Sequence, residues 1–326
     1  MTLLESTDTH AASTPANAAA ARRLRATMAA ARVSFTWLGT QKALTPEQRA
    51  RAAEAFDAQG RYLSAGKKIL DTAHPAFRAV TAVRGQVEAH WKGLTLPFPE
   101  PGVRLIPHDR VEGFDRRMIG YRAELDDAVA TLGRHYDEMR SSASVRLGSL
   151  FDPTDYPDDL GGLFGLDWDY PNIEPPDYLV RLAPGLYEAE RARVAARFEE
   201  AVRLAEQAFL EEFARLVGHL CERISQPGEG GRARVFRDGA VENLAEFFGR
   251  FRSLSVRSDQ QLETLVAEAQ RAVRGVGAQD LRDSGSLRAE VATRLGRVRS
   301  ELDGLLVDRP RRRILRDSAP PRQGGV

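Results

Sequence analysis

At 326 residues, with 42% hydrophobic and 29% charged side chains, the chain is long enough for two or three domains and has the balance of a folded, helix-rich protein. A net charge of +1 excludes a uniformly basic or acidic surface, and the lone cysteine, Cys221, excludes an intramolecular disulfide framework and fits a reducing cytoplasm. No run of about eighteen apolar residues exists and Glu5 and Asp8 precede the alanine-rich N-terminal stretch, so neither a transmembrane helix nor a secretory signal is expected.

In chain order, residues 1–32 read as a disordered or weakly helical arm, with helix propensity concentrated in the alanines of 15–31. A helical pack is expected over 33–107. It begins with VSFTWL at 33–38 as a short extended or buried segment. Thr45, Pro46 and Gln48 then make a helix start: a threonine cap, proline at the first position, and a glutamine placed to bond back. That helix is expected to reach Gln59, with a second through YLSAGKKILD and a third from Pro75 to Trp91. Four prolines and two glycines in GLTLPFPEPGVRLIP (93–107) forbid a helix there and point to a linker or an edge-strand excursion.

Two long stretches carry the strongest signal. Over 108–150 the apolar stripe is Val111, Phe114, Met118, Tyr121, Leu125, Val129, Leu132, Tyr136, Met139; over 184–225 it is Tyr187, Val194, Phe198, Val202, Ala205, Phe209, Phe213, Leu216, Leu220, Ile224. Alternating three- and four-residue spacing puts each set on one helix face. At 1.5 Å per residue each helix would be ~60 Å long. The expected fold is therefore all-α and elongated: a coiled-coil-like antiparallel helical hairpin over 108–225, with smaller helical packs and an acidic, aromatic tip at 151–183.

Beyond it, QPGEGGR (226–232) reads as a turn and 226–308 as a set of C-terminal helices. These are 238–254, a helix capped by Ser258 and running to Arg274, a loop at VGAQDLRDSGS, and 286–307 with Leu287, Val291, Leu295, Val298, Leu302 and Leu305 inward. Residues 309–326 read as a basic, flexible tail.

No motif supplies catalytic chemistry. GRYLSAGKK glances at a phosphate-binding loop, but five residues separate its glycines and Lys68 stands where a hydroxyl is needed. The six histidines form no i, i+4 metal pair, so no metal site and no cofactor is expected. Cys221 reads as a small buried hydrophobe. Trp37, Tyr62, Lys67, Lys68, His74, Trp91 and Lys92 gather in the N-terminal part. Trp91 reads as core beside Val80, Val83 and Val87, and the lysines as equally able to face solvent.

Two charged segments remain. Between Asp152 and Asp177 lie eight carboxylates, no base, and four aromatics. Such a proline-stiffened loop either packs its aromatics on the helices and solvates its acids, or docks a basic protein surface through Tyr156, Asp158, Asp159, Asp167, Trp168, Asp169 and Tyr170. A carboxylate-based hydrolase is the competing enzymatic reading. At the other extreme, Arg309, Arg311, Arg312, Arg313 and Arg316 could neutralise phosphates without reading sequence. Only four of the 47 cations are lysine, however, and such a coding bias inflates arginine as a sign of nucleic-acid binding.

The strings SAGKKILDTAHPAF, HWKGLTLPFP and VFRDGAVENLAEFFGRFRSLSVRSDQQLETLV make the chain resemble a family of uncharacterised bacterial and phage helical proteins. Their genes lie near those of MoxR-type AAA+ ATPases and von Willebrand A-domain proteins. The resemblance implies a bacterial, cytoplasmic, helix-rich protein in an ATPase-linked complex, and supplies no catalytic residue. The expectation is a non-enzymatic scaffold or adaptor whose partners are proteins, an AAA+ ATPase or a second copy of itself among them, with no membrane contact. Nucleic-acid binding through the C-terminal arginines is the alternative.

Overall fold

In the computed structural model, residues 15–225 and 239–308 are described. Helix α1 (Pro15–Thr27) ends where strand β1 (Met28–Thr36) begins, inside the alanine run that propensity alone assigns to a helix. Next come β2 (Gln41–Ala43), α2 (Pro46–Glu54), β3 (Gly66–Lys68), α3 (Pro75–Leu94), β4 (Leu96–Pro97) and β5 (Val103–Pro107). They are followed by α4 (Val111–Arg134), α5 (Tyr136–Leu147), β6 (Gly165–Asp169), α6 (Leu179–Leu182) and α7 (Pro184–Ser225).

The all-α expectation is thereby corrected. The described residues are about 69% helical, yet they hold a four-stranded antiparallel sheet in the order β4-β5-β1-β6 and a two-stranded antiparallel sheet of β2 and β3. The reason is tertiary pairing. β1 is bonded on both edges, with Ala29 opposite Ile106 and Val33 opposite Trp168, and such pairing outweighs the helix preference of short alanine-rich segments. Its alternate residues Ala31 and Val33 enter the core while Arg32 and Ser34 stay exposed. The proline-rich 93–107 segment becomes β4 and β5, joined by a turn in which Pro101 precedes Gly102 and the Val103 amide donates to the Glu100 carbonyl at 3.1 Å. Gly102 has φ +78°, which that turn requires of its third residue.

Two expected helices differ for local reasons. α2 starts as foreseen, with Thr45 Oγ1 accepting from the Gln48 amide at 3.2 Å and Gln48 Oε1 accepting from the Thr45 amide at 3.1 Å. It stops at Glu54, where Asp57 turns the chain with φ +51° and Gly60 packs so closely on Ala50 that a Cβ would sit 3.1 Å from its Cα. YLSAGKKILD is then no helix; it holds β3, drawn out by pairing of Lys42 with Lys67 and Gln41 with Lys68. The 108–150 stretch breaks at His135, which closes α4 and opens α5.

Chain contacts divide the protein into two compact units, residues 1–204 and 205–326, with the division inside α7. In the first unit, the α4–α5 stripe (Phe114, Met118, Tyr121, Leu125, Leu132, Tyr136, Met139) packs with Phe77, Val80 and Val87 of α3 and with Ala31, Val33, Ile106 and Leu166 of the sheet. That core includes no α7 residue; the α4–α5 stripe is covered by α3 and the sheet. α7 itself runs unbroken for 42 residues, as its periodicity requires.

Among the described residues of the second unit, every regular element is a helix. The unit takes the end of α7, then α8 (Gly239–Leu254), α9 (Gln260–Ala272), α10 (Ala278–Asp283) and α11 (Gly285–Asp308). Phe213 stacks on Phe247 at 5.1 Å between ring centroids, with Phe209 and Phe248 edge-on to the pair and Phe251 stacked on Phe247 at 5.9 Å. α9 is capped by Asp259, whose Oδ1 accepts from the Gln261 and Leu262 amides at 3.0 Å. The expected cap, Ser258, instead donates its hydroxyl to Glu206. The expected loop at VGAQDLRDSGS contains α10, which buries Leu281. QPGEGGR, residues 1–14 and the basic tail lie outside the described residues. Among the described residues, no helix is long and apolar enough to cross a membrane.

Candidate functional site

The 151–183 segment is divided by its own side chains into an anchored strap, an edge strand and an exposed apolar turn. In the strap, Asp152 accepts from the amide and hydroxyl of Thr154, at 2.9 and 2.7 Å, and these bonds hold its carboxyl below the usual carboxylate range. Asp155 pairs with the buried Lys67 ammonium at 2.5 Å, and Lys67 also donates to the Leu150 carbonyl at 2.7 Å. Of the two lysines in β3, Lys67 is therefore internal and Lys68 exposed. Tyr156 is buried too. Its hydroxyl donates to the Ile69 carbonyl at 2.9 Å, while Tyr136 donates to the Pro157 carbonyl at 3.0 Å; burial pushes both phenols up. Asp158 and Asp159 are exposed, and Asp159 accepts from the Gly161 amide at 2.6 Å.

β6 reads GLDWD, and the pleat sorts it. Leu166 and Trp168 turn to the core beside Phe35 and Val33, while Asp167 and Asp169 share the outer face with Ser34 and Arg32. Arg32 clasps Asp169 through two nitrogens, one at 3.0 Å, and this bond holds the Asp169 carboxyl low. Arg122 of α4 donates to the Leu166 carbonyl at 3.0 Å and to Asp167 at 3.1 Å, and its guanidinium stands 4.4 Å over the Trp168 ring. The Trp168 indole N–H donates to Asp115 at 2.7 Å. Tyr170 directs its hydroxyl to the same carboxylate at 3.5 Å; burial first, then the Asp115 charge, pushes that phenol up to about 12. The seven residues nominated from sequence are thus distributed: Asp167, Trp168, Asp169 and Tyr170 come together on and beside β6, Asp158 and Asp159 stand free of that group, and Tyr156 is inside.

Past β6 the chain presents apolar surface. The Arg25 guanidinium clasps Glu174, Asn172 Oδ1 accepts from the Glu174 amide at 2.9 Å, and Pro175 is buried. Immediately afterwards Tyr178, Val180, Leu182 and Leu186 are 62%, 48%, 78% and 50% exposed. The local backbone is hydrogen-bonded to itself. The Leu182 amide donates to the Tyr178 carbonyl at 3.2 Å, and the Ala183 carbonyl accepts from Leu186 and Tyr187 at 3.0 Å as α7 begins behind Pro184. Four large apolar side chains within nine residues are more than scattered surface hydrophobicity, and clustering of that kind marks binding surfaces. The sequence signal for it is YLVRL, four apolar residues in five with no room to bury them in one turn.

The other candidates are quieter. His74 caps α3, its Nδ1 accepting from the Ala76 amide at 3.2 Å. His90 stacks on Phe114, and burial, then Arg117, lowers its pKa. Cys221 is buried and its thiol is pushed up by that burial. Trp91 packs against the first unit's core. Among the described residues no group of three His, Cys, Asp or Glu side chains is placed to hold a metal ion. Arg309, Arg311, Arg312, Arg313 and Arg316 lie outside the described residues. Comparison with protein-family models, curated proteins and solved structures returns no match for the chain.

Proposed function

We propose that the protein is a non-enzymatic scaffold or adaptor that acts through protein–protein contacts made by the 177–186 turn. The observation that carries this reading is the exposure of Tyr178, Val180, Leu182 and Leu186 on a backbone anchored at Glu174 and Pro175 and hydrogen-bonded to itself from Tyr178 to Tyr187. A pre-ordered apolar turn loses little conformational entropy on association, which favours docking. The acidic residues support the same reading. Asp167 and Asp169 are occupied by Arg122 and Arg32, and the lowered Asp169 pKa opposes service as a general acid near neutrality. An AAA+ ATPase complex is the setting that the family resemblance suggests.

The test is capture by the immobilised, full-length chain from bacterial cytosol, with and without nuclease, using wild type and the Leu182→Asp/Leu186→Asp variant. A protein retained stoichiometrically after nuclease and lost with the variant, whether foreign or a second copy of the chain, is the expected result. Recovery of nucleic acid alone, abolished by deleting 309–326, overturns the reading.

A further inference from the structure

We propose that α3 is an acid-released element, fastened at both ends by imidazoles that grip only while uncharged and freed from the α4–α5 stripe when they take up protons. At its first turn His74 is the cap. The His74 Nδ1 accepts from the Ala76 amide at 3.2 Å, and a nitrogen can accept only while it carries no proton. Towards the other end, His90 is stacked on Phe114 of α4 at 5.9 Å between ring centroids and stands edge-on to Tyr121 at 5.7 Å. Its Nε2 is shielded from water and has no hydrogen-bond partner among the described residues. An imidazolium donates from both nitrogens, so the charged ring would carry a buried N–H with nothing to bond.

The charges near the two rings do not rescue the cations. Beside His74 are Asp71, already engaged by Arg146 of α5 at 3.0 Å, and His135 of the α4–α5 joint, 5.2 Å away between ring centroids. Glu138 lies 3.8 Å from His135. A cation at His74 also meets the positive end of the α3 dipole. Beside His90 is Arg117 of α4, paired with Glu124 at 2.7 Å and standing 3.7 Å over the Tyr121 ring. Burial first, then Arg117, lowers the His90 pKa, so the folded state prefers the neutral ring. The stability this supplies is complete above the ordinary imidazole value of about 6.5 and is lost as pH falls through the lower folded value. Between the two rings α3 contributes Phe77, Val80 and Val87 to the core it shares with Phe114, Met118 and Leu125, so its release bares that apolar stripe.

Hydrogen exchange on the purified full chain, followed from about pH 8 to about pH 5 and corrected for its intrinsic pH dependence, tests this. Wild type is expected to lose about tenfold more protection at the amides of 76–90 than at those of β1. His90→Phe keeps the stacked ring and His74→Asn keeps a capping acceptor, and neither replacement can take up a proton. The double variant is therefore expected to hold its α3 protection within about twofold across the same range. A wild type whose α3 amides follow those of β1, or a folded double variant that loses α3 protection as wild type does, overturns the proposal. Should the double variant not fold, the imidazole resonances of the wild type decide. Titration of His90 below about 6.5, in step with the loss of α3 protection, is expected, and any other behaviour of that ring overturns the proposal.

Discussion

Lys67 and Asp155 form an ion pair at 2.5 Å in which the ammonium is 4% exposed and the carboxylate 18%, tying the short β2–β3 sheet to the strap that precedes β6. Both partners are charged and shielded from water, so removing one is costlier than removing both. Lys67→Ala is expected to destabilise the protein by about 3 kcal/mol, and Lys67→Met with Asp155→Leu to recover most of that loss. Urea denaturation of the two variants decides it. If the single variant unfolds with the wild type, the pair has no stabilising role.

Arg122 closes the outer edge of the sheet, bonding the Leu166 carbonyl and lying over Trp168. Arg122→Met keeps much of the apolar stem but leaves that carbonyl to water, at an expected cost of about 1 kcal/mol. Lysine should not substitute, because one ammonium cannot bond Leu166 and Asp167 in the planar geometry of the guanidinium. Hydrogen exchange read at 165–169 should quicken in both variants and stay at the wild-type rate elsewhere in the core.

Tyr170 gives an alkaline signature. Its phenol titrates at about 12 in the folded protein, above the value of about 10 for an unhindered tyrosine. The folded state thus prefers the protonated form, and the associated stability is complete below about pH 10 and disappears as pH rises towards 12. Ultraviolet absorbance titration should show a late step that Tyr170→Phe removes. Asp115→Asn should move that step to lower pH, since it takes away a neighbouring negative charge.

In the second unit, Phe213 is fully buried and stacked on Phe247 within a ring of phenylalanines. Truncation to alanine should cost about 4 kcal/mol through lost burial and the cavity left behind. Phe213→Leu should cost much less. A calorimetric scan in which the alanine variant melts like wild type would contradict the packing described.

What could be read from sequence followed the range of the interactions involved. The α7 stripe was legible because forty residues of regular spacing leave one helix as the only way to share a face, and the Thr45–Gln48 box because its two bonds span three residues. The sheet was not. β1 pairs with strands far along the chain, and nothing in MAAARVSFT names Ile106 or Trp168 as neighbours. GLDWD did carry an inward–outward alternation, but five residues are too few to separate a strand from an acidic loop. The occupancy of Asp167 and Asp169 was invisible for the same reason, since Arg122 and Arg32 reach them from α4 and β1. The break at His135 falls two residues after Gly133, a poor helix former, whose carbonyl accepts from the His135 amide.

The separation of β1 from its last partner has a bearing on biosynthesis. Arg32 and Asp169 face each other across the ladder with 137 positions between them. At synthesis rates of about 5–20 residues per second, β6 leaves the ribosome about 7–27 s after β1. Both flanks of the nascent strand are open until β5 emerges, and one stays open until β6 does, which makes it a site for misassembly between neighbouring nascent chains. Codon-dependent pausing between 36 and 165 would lengthen the exposure, so soluble yield should respond to translation speed across that interval more than to speed beyond it.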